Sequence, residues 1–256
     1  MKTIWTGAIG FGLVNIPIKL YSATLDSKLD LDMLDNKDHS NIKFQRVNEK
    51  TGNVVEWNDI VKGYKYEDEY IILEDEDFEQ ANAKKTKTIE ILEFVMEDEI
   101  DSIYFETPYY LEPDKSGVRA YTLLREALKE SKKVGVASYV LRNKEALCII
   151  KPMNEVLVLN KIRFSQEIRE TTELALPATK EIKDAEMKMA LSLIDQLTQP
   201  FDISQYKDTY SEELLKVIEA KAQGKDTKIV KMDVTPTAAK DLMAQLKASL
   251  ELKKAS

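Results

Sequence analysis

Cysteine and histidine are almost missing from this sequence: in 256 residues there is one of each, Cys148 and His39. A single cysteine excludes an intramolecular disulfide, and the two residues together fall short of the roughly four ligands a structural zinc site needs. A serine–histidine–aspartate triad has only His39 to draw on. That residue lies in the polar run Asp35-Asn-Lys-Asp-His-Ser40, which reads as a solvated loop without a fixed orienting partner. Cys148, inside Ala146-Leu-Cys-Ile-Ile150, reads as a buried structural thiol. No run of about 18 apolar residues occurs, which excludes a membrane-spanning helix, and residues 1–20 lack the layout of a secretory leader, so a cytoplasmic protein is expected.

What the chain has is charge and enough apolar content for a core. Hydrophobic residues make up 43%, sufficient for one large domain or two smaller ones. The net charge of −8 argues at first against a nucleic-acid partner, whose usual mark is a basic footprint. The acid is concentrated, however: residues 67–114 hold 17 Asp and Glu against 3 Lys and Arg, whereas 115–170 hold 12 Lys and Arg against 6 acids. With a Debye length of about 8 Å at physiological salt, a locally basic surface can bind phosphate on a protein that is acidic elsewhere. The bunched acids Glu67, Asp68, Glu69, Glu74, Asp75, Glu76, Asp77 and Glu79 suggest the carboxylates of a metal-dependent nuclease. Neighbours in sequence do not converge on one point, so a solvated, self-repelling face is the expectation.

The stretch Trp5-Thr-Gly-Ala-Ile-Gly-Phe-Gly-Leu-Val-Asn-Ile-Pro-Ile-Lys-Leu-Tyr-Ser-Ala-Thr24 invites a phosphate-loop label. Such a loop needs a strand before it and a helix after it. Only six residues precede Gly7, and Pro17 would interrupt a helix begun at Leu13. Val14, Ile16, Ile18 and Leu20 instead alternate with Asn15, Pro17, Lys19 and Tyr21, the period of a strand with one buried face. The stretch is therefore expected to open a barrel, its glycines permitting close backbone packing, with Pro17 at an edge or bulge and Lys19 on the solvent side.

Further along, Asn41–Val47 and Val54–Trp57 flank the turn Glu49-Lys-Thr-Gly-Asn53 and predict a hairpin carrying Lys43, Arg46 and Lys50. Strands are predicted over 60–66, 70–73 and 88–95, with an acidic helical stretch over 74–83. A helix over 119–132 puts Tyr121, Leu124 and Leu128 on one face, and 134–141, 145–150 and 155–164 read as an antiparallel meander. In its last strand Lys161 and Arg163 follow Leu157 and Leu159, so one surface turns from apolar to basic. Helices are predicted over 184–198, with Met187, Leu191 and Ile194 in line, and over 211–222, capped by Ser211 and stopped by Gly224. A last one opens at Thr235-Pro236, and the polar run 223–226 before it reads as a flexible joint. Aromatic residues in the β-like runs read as ordinary strand packing.

Together these pieces resemble the bacterial Ku proteins, which bind DNA double-strand ends in non-homologous end joining. The match runs from about residue 3 to about 225 and rests on the opening stretch, Asp59-Ile-Val-Lys-Gly-Tyr-Lys-Tyr66, Ile103-Tyr-Phe-Glu-Thr-Pro-Tyr-Tyr-Leu111, Ala120-Tyr-Thr-Leu-Leu-Arg-Glu-Ala-Leu128 and Leu193-Ile-Asp-Gln-Leu197. The resemblance implies an α+β chain: a Ku-type β-barrel core over 1–170 with a DNA-encircling bridge at about 25–66, a helical arm over 171–224 that wraps a partner subunit, and a short tail over 225–256. Two copies would form a ring threaded onto a duplex end, without sequence specificity, and recruit an ATP-dependent DNA repair ligase near the nucleoid. The implied phosphate contacts are Lys19, Lys43, Arg46, Lys50, Lys62, Arg142 and Lys144, and the implied dimerisation residues Leu214, Leu215 and Ile218. No catalytic residue, metal or cofactor is expected. Some relatives carry a cysteine after the Arg-Val pair of the bridge, where this chain has Asn48, so no metal role transfers there. The tail mixes its lysines with acids, so its DNA contribution is expected to be modest and the ligase is the implied contact. The alternatives of another class are the nuclease above and a protein-binding β-barrel without nucleic acid.

Overall fold

The computed structural model describes residues 1–26, 28–81, 87–141, 144–176 and 182–225. The tail helix expected beyond Thr235, the rest of the tail and Arg142 lie outside the described residues. The chain divides into two units, one of Met1–Asp26 with Asp30–Thr171, the other of the residues from Thr172 onward with the short piece Ser27–Leu29.

In chain order the elements of the first unit are β1 (Thr3–Phe11), β2 (Val14–Ser22), β3 (Lys62–Tyr66), β4 (Glu69–Leu73), α1 (Asp75–Ala81), β5 (Thr88–Met96), β6 (Phe105–Pro113), α2 (Val118–Ser131), β7 (Lys133–Leu141), β8 (Lys144–Met153) and β9 (Val156–Ile162). Seven strands close a barrel in the order β1-β2-β6-β9-β8-β7-β5. The meander β7-β8-β9 is antiparallel as expected, and the seam is the parallel pair β1–β5, from Ala8↔Thr88 to Gly10↔Glu90.

The glycine-rich opening is a hairpin rather than one strand: β1 and β2 pair from Thr3↔Tyr21 to Phe11↔Val14, and Gly12 turns the chain at φ +58°. At Gly7 a Cβ would come within 2.3 Å of the Lys87 carbonyl oxygen, which accepts the Ala8 N–H at 2.8 Å. The seam closes because position 7 has no side chain. Pro17 sits at neither an edge nor a bulge. It pairs with Ala8, whose N–H is already given to Lys87; on its other side the named ladder with β6 starts at Ile18↔Pro113, and just past it the Asp114 N–H donates to the Pro17 carbonyl at 2.9 Å, so the proline forgoes only the reciprocal bond at the ladder's end.

Ile16, Ile18 and Leu20 point inward beside Ile9, Ile89, Leu111, Cys148, Ile150, Leu157 and Leu159. Burial pushes the Cys148 thiol above its ordinary pKa, as suits a structural thiol. Tyr121, Leu124 and Leu128 of α2 join the same cluster. Because α2 touches β2 as well as β7 and β8, which are not neighbours of β2 in the barrel order, it lies across a mouth of the barrel. Each of its leucines contributes about 1.5–3 kcal/mol by leaving water.

Tyr121 also completes the wall. Its hydroxyl accepts the Leu157 N–H at 2.6 Å and donates to the Leu111 carbonyl at 2.7 Å, bridging β6 and β9 beside the Leu111↔Leu157 pair. Replacing Tyr121 with Phe leaves both groups buried and unpaired, an expected loss of about 1–3 kcal/mol. A thermal melt should fall by roughly 2–4 °C for each kcal/mol; an unchanged melt would show that water replaces the hydroxyl.

From Asp30 to Leu73 no residue is buried. The predicted hairpin strands over 41–47 and 54–57 reduce to the single bridge Val47↔Val54, because neither face has a core to lie on, and Phe44 is 79% exposed. β3 and β4 form a separate two-stranded ribbon, also exposed.

In the second unit, α3 (Asp184–Leu197) and α4 (Thr209–Ala222) contain no buried residue. The predicted stripe of α3, Met187, Leu191 and Ile194, is uncovered. Asp208, not Ser211, caps α4: its carboxylate accepts the Ser211 N–H at 3.1 Å and the Ser211 hydroxyl at 2.5 Å. An ionised carboxylate is the stronger acceptor at a helix N-terminus. Gly224, at φ +71°, ends the helix as expected.

Candidate nucleic-acid interface

The exposed segment 30–73 carries four of the seven cations implied as phosphate contacts, Lys43, Arg46, Lys50 and Lys62, all solvent-facing. Its hairpin is set by Asn48. The Asn48 side-chain oxygen accepts the N–H groups of Lys50 at 2.9 Å and Thr51 at 3.1 Å, its own N–H goes to the Asn53 carbonyl at 2.8 Å, and Gly52 supplies the positive φ of 70°. Asn48 is thus the turn-former. Beyond the turn the Val55 N–H donates to the Arg46 carbonyl at 2.8 Å.

That pairing accompanies two cations placed on aromatic rings. The Arg46 guanidinium carbon lies 4.4 Å from the centroid of Trp57, and the Lys62 ammonium 4.5 Å from that of Phe78 in α1. Sequence reasoning assigned Trp57 to strand packing and gave Phe78, in the predicted acidic helix, no role. Trp57 opens a short 3-10 turn, Trp57–Asp59, just after the Val54 bridge, so no strand alternation places its ring against Arg46 and the sequence carried no signal for the contact.

The other cations divide. Lys19 lies half-buried on the outer side of β2, opposite Glu112 of β6, whose carboxylate also accepts the Tyr21 hydroxyl at 2.6 Å. Lys19 thus has an acidic cross-strand neighbour, whereas Lys43, Arg46, Lys50 and Lys62 make no ion pair among the described residues. Lys144, at the start of β8, is exposed and 3.9 Å from Glu167, a surface pair worth little. Lys161 and Arg163, expected to make one surface basic, are instead paired with Glu106 of β6, Arg163 at 3.3 Å. The hydrogen bond from Lys161, aided by the charges of Lys161, Arg163 and Lys144, holds the Glu106 carboxyl below the usual carboxylate range against the opposing effect of burial. Arg163 also donates to the Ile103 and Phe105 carbonyls at 3.0 and 2.9 Å, fastening the end of β9 to the start of β6.

The acids of the 67–79 block spread along the β3–β4 turn, β4 and the first turn of α1, and among the described residues no three metal-ligating side chains cluster. Among those residues no helix is long and apolar enough to cross a membrane.

A closed barrel with an exposed cationic segment inserted after its second strand has a match among known families: the model of the Ku70/Ku80 beta-barrel domain covers residues 10–189. The chain belongs to the Ku family. It is 39% identical over 254 residues to the non-homologous end joining protein Ku of Opitutus terrae, covering 98% of this chain and 91% of that one. With the protein of the same name from Archaeoglobus fulgidus it shares 39% over 253 residues, 98% of this chain and 99% of the other. With that of Bacillus subtilis it shares 38% over 255 residues, 98% and 82%. Among solved structures, the SPOC domain of human PHD-finger protein 3 overlaps 63% of this chain and 95% of its own at a TM-score of 0.31 and 14% identity, too slight to bear on the fold.

Proposed function

We propose that two copies of this chain form a ring that holds double-stranded DNA ends without reading their sequence, in repair by non-homologous end joining, and that the ring is a non-enzymatic platform for an ATP-dependent DNA repair ligase. The observation that carries this reading is the segment 30–73: no residue of it is buried, and it presents Lys43, Arg46, Lys50 and Lys62 to solvent. A segment with no core of its own acquires one by lying against something else, and a row of uncovered cations favours a polyanion. Contacts to the phosphate backbone position a duplex but carry no sequence information. Affinity should therefore fall with salt, with a log–log slope of about −0.9 per phosphate neutralised.

The second copy is supported by the other unit. Two helices without a buried residue cannot be held by their own packing, and the apolar side chains they expose, Leu215 and Ile218 among them, call for a covering surface. Family membership supports the ligase and a site of action at the nucleoid.

Competition between linear and closed circular duplex of one sequence tests the ring. A threaded protein should bind the linear form far better and slide off it when an end is free. Equal binding to both would remove threading.

A further inference from the structure

Resting on the DNA-end reading above, the geometry of the 41–57 hairpin points to Trp57 as a positioning residue for phosphate contact: its ring holds the Arg46 guanidinium by the face and leaves the N–H edge free to take a backbone phosphate in two hydrogen bonds. The pair is 4.4 Å apart, and Trp57 remains 68% exposed. An indole this exposed, in a segment without a core, is not accounted for by packing. Arg46 has no carboxylate partner among the described residues, so nothing competes for its N–H edge. Lys43 and Lys50, on the same hairpin, make no side-chain ion pair or ring contact among the described residues. Arg46 is the one that chemistry favours for a directed contact, because a planar fork matches phosphate bidentately while its π-face stacks on an aromatic ring.

The physical gain is pre-organisation. A long cationic side chain loses rotamer freedom when it fixes on a phosphate, and one already stacked has less to lose. The turn built by Asn48 and the Val55-to-Arg46 hydrogen bond fix the backbone at Arg46, and the 3-10 turn Trp57–Asp59 begins two residues after Val55, so the stack is a property of this segment before any duplex arrives.

The test measures the affinity of the full chain for a short blunt duplex over a range of salt. Trp57→Ala should weaken binding about two- to five-fold for each chain engaged, the size expected of an exposed cation–π pair. Trp57→Phe, which keeps a ring face, should recover most of that loss. Arg46→Ala should weaken binding further and flatten the salt slope by about 0.9 for each phosphate no longer neutralised. In the Arg46→Ala background, Trp57→Ala should cost nothing more, a non-additivity that a merely structural tryptophan would not produce. An undiminished Trp57→Ala effect in that background, or no effect of Trp57→Ala in the native chain, overturns the inference. If the native chain binds linear duplex and Arg46→Ala is silent, the inference falls while the end-binding reading stands. If the native chain does not bind linear duplex, both fall.

Discussion

Reversing the charge of Lys43, Arg46 and Lys50 together, each to Glu, is expected to lower affinity for a blunt linear duplex on the order of 10³-fold near physiological salt while leaving the oligomeric state unchanged. In the proposed ring of two, three contacts per chain would make six, and at a slope of about −0.9 per phosphate each would carry roughly 0.7 log units at about 0.15 M salt. Removing all six would cost about four log units, and contacts elsewhere on the chain would restore part of it. All three side chains are exposed and take part in no core, so the variant should fold and melt as the native chain does. Binding measured across a salt series checks this, since both affinity and slope should drop. An unchanged slope would place the phosphate contacts on another surface.

The second large effect concerns the arm. Leu215→Asp combined with Ile218→Asp should leave a monomer at micromolar concentration, which sedimentation or light scattering reads directly. Both positions lie on α4 and are uncovered in the single chain, 46% and 39% exposed, whereas Leu214 is half-buried. Changing Leu214 would disturb the arm itself, so 215 and 218 give the cleaner test of an interface. Carboxylates buried there without partners cost several kcal/mol each. In a two-fold dimer every substitution counts twice, so the dissociation constant should rise by at least about 10³-fold. A variant that stays as associated as the native chain would take α4 out of the proposed interface. A monomer should also lose its preference for linear duplex, because an open half-ring has no lumen to thread.

Several parts of this architecture were legible because they depend on local pattern alone. Alternation located β2 and the β7-β8-β9 meander, and the spacing of Tyr121, Leu124 and Leu128 identified the buried face of α2, since a strand or helix shows its periodicity wherever one face meets a core. The same logic over-reached at 41–47, where alternation predicted a strand but no second layer exists to stabilise one. It also over-reached at Pro17, because a proline's cost depends on which neighbour its nitrogen faces, a property of register rather than of the residue.

By itself the sequence determined what chemistry is missing, since one cysteine and one histidine leave no intramolecular disulfide and too few ligands for a structural zinc site. It also determined how many cations the chain carries. Only the tertiary structure decided which of them are free. Lys161 and Arg163 are paired with Glu106, and Arg46 lies on Trp57, because strand order and turn geometry bring distant residues within a few ångströms. Coulombic and stacking energies depend on those distances, and composition does not contain them.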